Sequence, residues 1–320
     1  MIELSIIQKC KLDRDLKHAF GDKLLNLMSD KDVTDITLNK GKIWAKFGYE
    51  NEKYMFDFDL ENTNRIVRLM STVAGIENIQ NTPIINAQIP FNGARFASMS
   101  PPICETTTFS IRIPSKQIYT LEDLANGHCE QSNTKIAQAL TSEQKLLLQT
   151  ALLDKKNILI IGAMGSGKTT MLNAMLDFIS TNKPEKIAVF QDTTEIQTNS
   201  EQVVILTSNE KVTLSQLIMA SLRHNFKRLI LGEVRGAEAL QLIKMWNTGH
   251  RGGICTIHAD GCLEALYRLE QLIGEATQIS QSHLIASTID LLVFMQSGVN
   301  GCFVADIKQV RFEENKYILA

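Results

Sequence analysis

The chain lacks what would place it across a membrane or outside the cell. No apolar run approaches the roughly 18 residues that a spanning helix needs. The opening stretch MIELSIIQKCKLDRDLK has no long apolar core of the kind a secretory signal carries. The expectation is a cytoplasmic protein whose membrane association, if any, goes through a partner. The six cysteines (Cys10, Cys104, Cys129, Cys255, Cys262, Cys302) include no Cys-x-x-Cys pair. Their scatter resembles no zinc or disulfide framework, so reduced, mostly buried thiols are expected. Neither sign of charge dominates: 33 Lys and Arg stand against 35 Asp and Glu, for a net charge of −2. Binding to a nucleic-acid backbone is therefore not expected as the main activity, a local basic lining aside. Internal repeats and low-complexity stretches are also absent.

What is present is ordinary soluble-protein material. Over 320 residues, 44% are hydrophobic and 21% charged, enough for sizeable cores in about two domains. Residues 13–30 place Leu16, Phe20, Leu24, Leu25 and Met28 at helical spacing. Strands are expected at 33–38 and 42–48 around an Asn-Lys-Gly turn, and at 53–60, whose strict alternation predicts half burial. A helix over 61–75 follows, then a hairpin about Asn92-Gly93 and a strand at 106–113. Residues 1–114 thus predict an α+β domain. The polar stretch 115–140 reads as a linker with at most a short helix from Thr120. Residues 141–320 alternate helix and strand: helices at 141–156, 168–180, 213–224, 237–247, 262–275 and 280–289, with strands at 157–162, 187–192, 202–206, 228–233 and 252–259. Near-continuous apolar strands predict a parallel-rich sheet covered on both faces, an α/β fold. Strands at 291–296 and 302–310, about Asn300-Gly301, predict a closing hairpin.

One stretch carries specific chemistry. ILIIGAMGSGKTT (158–170) is an apolar strand, a glycine-rich turn and a helix start, the layout of a phosphate loop. Gly162, Gly165 and Gly167 let the backbone turn and come close to a phosphate. Ala163, Met164 and Ser166 complete the loop, whose N–H groups face the anion with the helix N-terminus. Lys168 is placed for the β- and γ-phosphates, the Thr169 hydroxyl for Mg²⁺, and Thr170 near the α-phosphate. A chance glycine turn would not also have the strand before it and the helix after it.

Three clusters at strand ends accompany the loop, where open α/β sheets place ligands. In FQDTTE, Asp192 and Glu195 suit a Mg²⁺-bound or attacking water, or equally a turn cap and a surface carboxylate. In LILGEVRG, Gly232 stands where many triphosphatases carry Asp, so Glu233 is the first choice for water and for solvent-mediated Mg²⁺ contact. Arg235 suits either a functional or a salt-bridge role. In GHRGGICTIHAD, Thr256 and His258 lie near a strand end, and the neighbouring glycines favour a site over a structural histidine; His250 reads as a turn cap. Arg95, Arg112, Arg223 and Arg235 are candidates to meet charge developing on the phosphates, and spacing does not choose among them.

Together these ordered motifs resemble the type IV secretion and conjugal-transfer ATPases of the TrbB type, within the secretion ATPase superfamily, over nearly the whole chain. GAMGSGKTT is similar to that family's phosphate loop, FQDTTE to its Asp box, LILGEVRGAEAL to its acidic strand and WNTGHRGGICTIHADG to its His box. DVTDITLN, PIINAQIPFNGARFASMSPP and TFSIR look like its N-terminal domain. The resemblance implies a RecA-like motor domain behind a smaller N-terminal domain. It also implies ATP and Mg²⁺ as ligands, a cytoplasmic homohexameric ring, and inner-membrane components and other ATPases of the apparatus as partners. It implies that Arg95 and Arg112 meet the phosphates from the N-terminal domain, and that Lys168, Thr169, Glu195, Glu233 and His258 are site residues. There are departures: Gln191 replaces a common Glu, His224-Asn225-Phe226-Lys227 replaces an Arg-Pro-Asp pattern, and Arg251 stands where Pro is usual. A pilus extension or retraction motor is the nearest alternative, and an ATP-gated scaffold with low turnover is a second. A transporter-type ATPase is disfavoured for want of Leu-Ser-Gly-Gly-Gln. A GTPase is disfavoured because Asn182-Lys183-Pro184-Glu185 lacks the Asp that reads guanine.

Overall fold

Gly21 divides the first helix. α1 (Ile6–Ser29) runs longer than its apolar spacing indicates, but at Gly21 the backbone turns to φ 67°, ψ 162°, which breaks the helical path. The computed structural model describes residues 6–48, 51–76, 78, 81–114, 117–129, 134–209, 211–277, 279–299 and 301–320. The chain separates into two units, Met1–Lys116 and Gln117–Ala320.

In the first unit α1 is followed by β1 (Val33–Asn39), β2 (Lys42–Phe47), β3 (Lys53–Asp57), α2 (Leu60–Ala74), β4 (Ile84–Gln88), β5 (Arg95–Met99) and β6 (Thr108–Arg112). The strands form one antiparallel sheet in the order β3-β2-β1-β6-β5-β4. Leu16, Phe20 and Leu24 of α1 and Ile66 and Met70 of α2 share a core with Ile36, Leu38, Ile43, Phe96, Phe109 and Ile111 of the sheet. α2 starts at Asp59, whose carboxylate accepts from the Asn62 N–H, and stops at Gly75 in the left-handed region. β3 is less buried than its alternation predicts. It is an edge strand, so among the described residues Tyr54 and Met55 have no neighbouring strand beyond them and stay exposed.

The second unit contains α3 (Leu121–Asn126), β7 (His128–Cys129), β8 (Thr134–Lys135), α4 (Ser142–Leu153), β9 (Ile158–Ile161), α5 (Lys168–Asn182), β10 (Ile187–Gln191), β11 (Val203–Thr207), α6 (Leu214–Ser221), β12 (Arg228–Leu231), α7 (Glu238–Asn247), β13 (Ile254–Ile257), α8 (Cys262–Gly274), α9 (Ser282–Thr288), β14 (Leu291–Gly298), β15 (Gly301–Glu313) and β16 (Lys316–Leu319). The stretch 115–140, expected as a linker, is structured through much of its described length. Thr120 and Asp123 form a capping box on α3. Leu121, Leu124, Ala139 and Leu140 pack into the same core as α4 and α5.

The sheet order is β11-β10-β12-β13-β9-β14-β15-β16. β11 to β14 in that order are parallel; β15 and β16 are antiparallel additions. The expected terminal hairpin is present, but β14 is also a parallel partner of β9, and β16 extends the sheet beyond it. Asn300, the first residue of the expected turn pair, lies outside the described residues. Alternate strand residues point to opposite faces: Leu159 and Ile161 pack with α7 and α8, while Ile158 and Ile160 pack with α4 and α5.

The N-terminal ends of the strands are tied by polar groups. Arg228 is fully buried and bonds Glu185, the Gly252 carbonyl at 3.2 Å and the Leu152 carbonyl at 2.8 Å. Lys155 also reaches Glu185, at 2.7 Å. Arg251, where Pro was the usual residue, places Nη2 at 2.9 Å from both Asp290 oxygens. Phe226 of the second departure is buried beneath the Lys186 ammonium, 4.9 Å from the ring centroid. No helix among the described residues is long and apolar enough to cross a membrane.

Candidate active site

The parallel register puts the expected clusters on one edge. Ile161 pairs with Ile257, and Leu231 with both Phe190 and Cys255. Gly162, Asp192, Glu233 and His258 therefore leave the sheet together at the C-terminal ends of β9, β10, β12 and β13.

The loop between β9 and α5 closes tightly. At Gly162 (φ 153°) a Cβ would fall 2.4 Å from the Met295 carbonyl oxygen and 2.5 Å from Ser166 Oγ. Met295 belongs to β14, so the C-terminal hairpin backs the loop. Cys302 of β15 does the same: its thiol donates to the Gly165 carbonyl at 3.2 Å. Ala163, Met164 and Gly165 are exposed, with Met164 76% accessible at the tip. Thr169 and Thr170 are half-buried in the first turn of α5.

Lys168 is buried, and its Nζ donates to the carbonyls of Gly162 and Ala163, both at 2.8 Å. It also stands 3.1 Å from His258 Nδ1. An ammonium can only donate, so Nδ1 accepts and the ring proton sits on Nε2. The 3.2 Å approach of Nδ1 to the Gly162 oxygen is then a contact between acceptors, not a bond. Nε2 faces Glu233, 2.8 Å from Oε1. The approach lies off the N–H line, and Oε1 makes no aligned hydrogen bond.

Arg235 joins the acids. Its Nε and Nη2 donate to Glu233 Oε2 at 2.8 and 2.5 Å, and its Nη1 to Asp192 Oδ2 at 2.6 Å. Burial works against the guanidinium charge, but the Glu233 hydrogen bonds and the charges of Glu233, Asp192 and Glu195 outweigh it, so its pKa is raised. Glu195 takes a different partner, accepting from the Thr169 hydroxyl at 3.2 Å. Thr256, read as part of the site, instead braces the backbone: its hydroxyl donates to the Gly232 carbonyl at 2.6 Å. The glycines before β13 are also structural. A Cβ at Gly252 would lie 2.5 Å from Arg228 Nη1, and one at Gly253 2.0 Å from the Trp246 ring. They clear space at the opposite end of the strand from His258.

In the first unit, Arg95 and Arg112 are direct cross-strand partners, and Asp35 faces Arg112 from β1. Two like charges opposite one another are unfavourable unless something anionic compensates. Arg223 is exposed just beyond α6.

The residues fit a phosphate and a cation shared with it. Ser166 Oγ is buried inside the loop without a hydrogen-bond partner, and the loop excludes any Cβ at Gly162. Among the described residues no group of three or more His, Cys, Asp or Glu could hold a metal. A divalent cation therefore suits this edge only as Mg²⁺ commonly sits, on a hydroxyl and carboxylate-held water together with substrate phosphates. Sequence reading left three contributors undetected or unassigned: Gln191, Asn173 and the Arg235 clamp. A signal for Gln191 was a polar residue closing an otherwise apolar strand.

A phosphate loop at the C-terminal edge of a parallel sheet, with acids and a histidine on neighbouring strand ends, defines a RecA-like P-loop ATPase. The family model described as "Type II/IV secretion system protein" matches residues 27–296, and the chain belongs to that family. A probable conjugal transfer protein TrbB of Sinorhizobium fredii is 32% identical over 310 residues, covering 96% of this chain and 92% of that protein. Among solved structures, the ATPase DotB of Legionella pneumophila superposes with a TM-score of 0.61 at 18% identity, over 91% of this chain and 80% of that one. The pilus retraction motor PilT with bound ADP gives 0.62 at 16% identity, over 99% and 83%. These two likenesses bear on the fold.

Proposed function

We infer that this ATPase powers a type IV secretion or conjugation machine, working as a homohexameric ring on the cytoplasmic side of the inner membrane. The observation that carries the reading is the network running from Lys168 through His258, Glu233 and Arg235 to Asp192, beside the Thr169–Glu195 pair. It gathers on one edge the groups needed to hold phosphates and handle a water. The likeness to a conjugal transfer protein along nearly its full length supports the biological setting.

In this reading Lys168 exchanges its carbonyl partners for the β- and γ-phosphates of ATP, beside the loop N–H groups of Gly162–Thr170. Thr169, with Asp192 and Glu233 through water, would hold Mg²⁺, which would neutralise charge on the phosphate oxygens. Glu233 takes the proton of the attacking water, with Glu195 assisting. His258, touching both Lys168 and Glu233, couples phosphate occupancy to the acidic strand. Arg95 and Arg112 meet phosphate charge. Inner-membrane components and other ATPases of the apparatus are the partners.

Lys168→Ala tests the chemistry: steady-state phosphate release should fall to background, and normal turnover would refute the assignment. Particle mass in solution with and without ATP and Mg²⁺ tests the ring; a monomer under all conditions would refute it.

A further inference from the structure

The residue that closes β10 is Gln191, 3% exposed and at the root of the loop carrying Asp192 and Glu195. Its two amide ends do different work. Oε1 accepts from the backbone N–H groups of Glu195 at 3.1 Å and Ile196 at 3.2 Å. Nε2 donates to the Thr207 hydroxyl on β11, at 3.2 Å. One side chain therefore ties the loop to the neighbouring strand. Asn173 of α5 takes the next part of the loop, accepting from the Gln197 N–H at 3.3 Å.

The hold matters because of what lies at its end. Glu195 joins this anchored backbone to the start of the phosphate-loop helix: its N–H is fixed by Gln191, and its carboxylate meets Thr169. Ile196 is buried by the same arrangement and packs against Gly232, where a Cβ would lie 3.1 Å from Ile196 Cδ1 and 3.6 Å from Gln191 Cβ. An Asp at position 232 would crowd this wedge. The spacing between the Glu195 loop and the strand end bearing Glu233 is thus set by Gln191 and Ile196 together.

We propose that Gln191 is a positioning residue for ATP hydrolysis, holding the Glu195 carboxylate at the Thr169 hydroxyl. It makes no contact with the reacting atoms and acts through Glu195. An amide suits the position because it accepts and donates at once in a buried site, where a carboxylate would only accept and would bring a charge. The proposal rests on the role given to Glu195 above.

The test is a kinetic double-mutant cycle on the full chain with Gln191→Met and Glu195→Gln. Displacing a catalytic group by an ångström costs on the order of 100-fold. Gln191→Met should therefore lower kcat by roughly 10- to 100-fold, with the affinity for a fluorescent ATP analogue held within about 3-fold. Glu195→Gln should also lower kcat, and adding Gln191→Met to it should change kcat by less than about 2-fold, because a residue acting through another has nothing left to act on. Multiplying effects would overturn the proposal while leaving the role of Glu195 intact. Full activity in Glu195→Gln alone would overturn both. If Gln191→Met does not fold, Thr207→Val, which frees only the amide end, carries the same cycle with an expected drop of about 3-fold. Additivity there, or no drop, overturns the proposal equally.

Discussion

Arg228→Met separates what holds the motor unit together from what performs its chemistry. The guanidinium is fully buried and is bonded to Glu185 and to the carbonyls of Gly252 and Leu152. Methionine fills much of the same space but leaves Glu185 without one of its cations and takes a side-chain donor from the carbonyls of Gly252 and Leu152, the second of which keeps the Lys155 N–H at 3.3 Å. Removing one partner of a buried pair costs about 3–5 kcal/mol. Lys155 remains 2.7 Å from Glu185 and keeps part of the compensation, so the lower end, ~3 kcal/mol, is expected. For a unit of this size each kcal/mol moves the midpoint by about 2–4 °C, giving a fall in Tm of roughly 6–12 °C. The chemistry should be spared. Arg228 opens β12, and Glu233 lies five residues on, beyond the other end of that strand, ~17 Å away at about 3.3 Å per residue. Calorimetry of the second unit's transition, paired with phosphate release well below Tm, reads both effects. A Tm within about 2 °C of the parent would show that the buried pair carries little net stability. A large loss of kcat in a variant of normal Tm would show that the two ends of the sheet are coupled.

Acid should act through the same pair. Burial raises the Glu185 pKa, but hydrogen bonds and charge from Lys155 and Arg228 bring it below its ordinary 4.5. A depressed folded pKa means that its stabilisation is complete above about 4.5 and is lost as pH falls through the folded value. Tm measured across this range should drop less in Glu185→Gln than in the parent. Gly162→Ala should abolish nucleotide binding, because its Cβ would meet the Met295 carbonyl oxygen at 2.4 Å. Gly165→Ala, where a Cβ meets nothing within 4 Å but φ is 75°, should cost only ~1–2 kcal/mol of backbone strain and retain measurable binding by fluorescence titration. Arg235→Gln should reduce phosphate release at least ~10-fold with little change in Tm, since half-exposed ion pairs contribute about 0–1 kcal/mol; a parallel fall in Tm would assign Arg235 to stability.

The strand–loop–helix unit at Ile158–Thr170 was legible because its signal is local: apolar run, glycines and lysine lie within one short window. The doubly covered sheet was legible for the same reason, in the near-continuous apolar strands β9, β10, β12 and β13. Other features depend on groups distant in sequence. Arg235 meets Asp192 only because β10 and β12 are neighbours in the sheet, a fact of strand order that no window contains. Gly252 and Gly253 looked like site glycines from their nearness to His258, yet they make room for Arg228 and Trp246. The stretch after Gln117 looked polar because Leu121, Leu124 and Leu140 are too widely spaced to show a period, although each is buried. β3 alternates as a half-buried strand should, but its edge position overrides the pattern.

The strand that carries the phosphate loop is made long before its neighbours. Ile158 of β9 pairs with Ile254 on one side and Leu291 on the other, and the loop leans on Met295 and Cys302. Contacts so distant along the chain form late. A ribosome-bound chain that has emerged as far as α7 already displays the full Gly162–Thr170 signature, but neither flanking strand nor the hairpin behind it. Competence to grip a nucleotide should therefore arrive in a single late step of synthesis, and cellular ATP would stabilise the finished motor without rewarding its unfinished precursors.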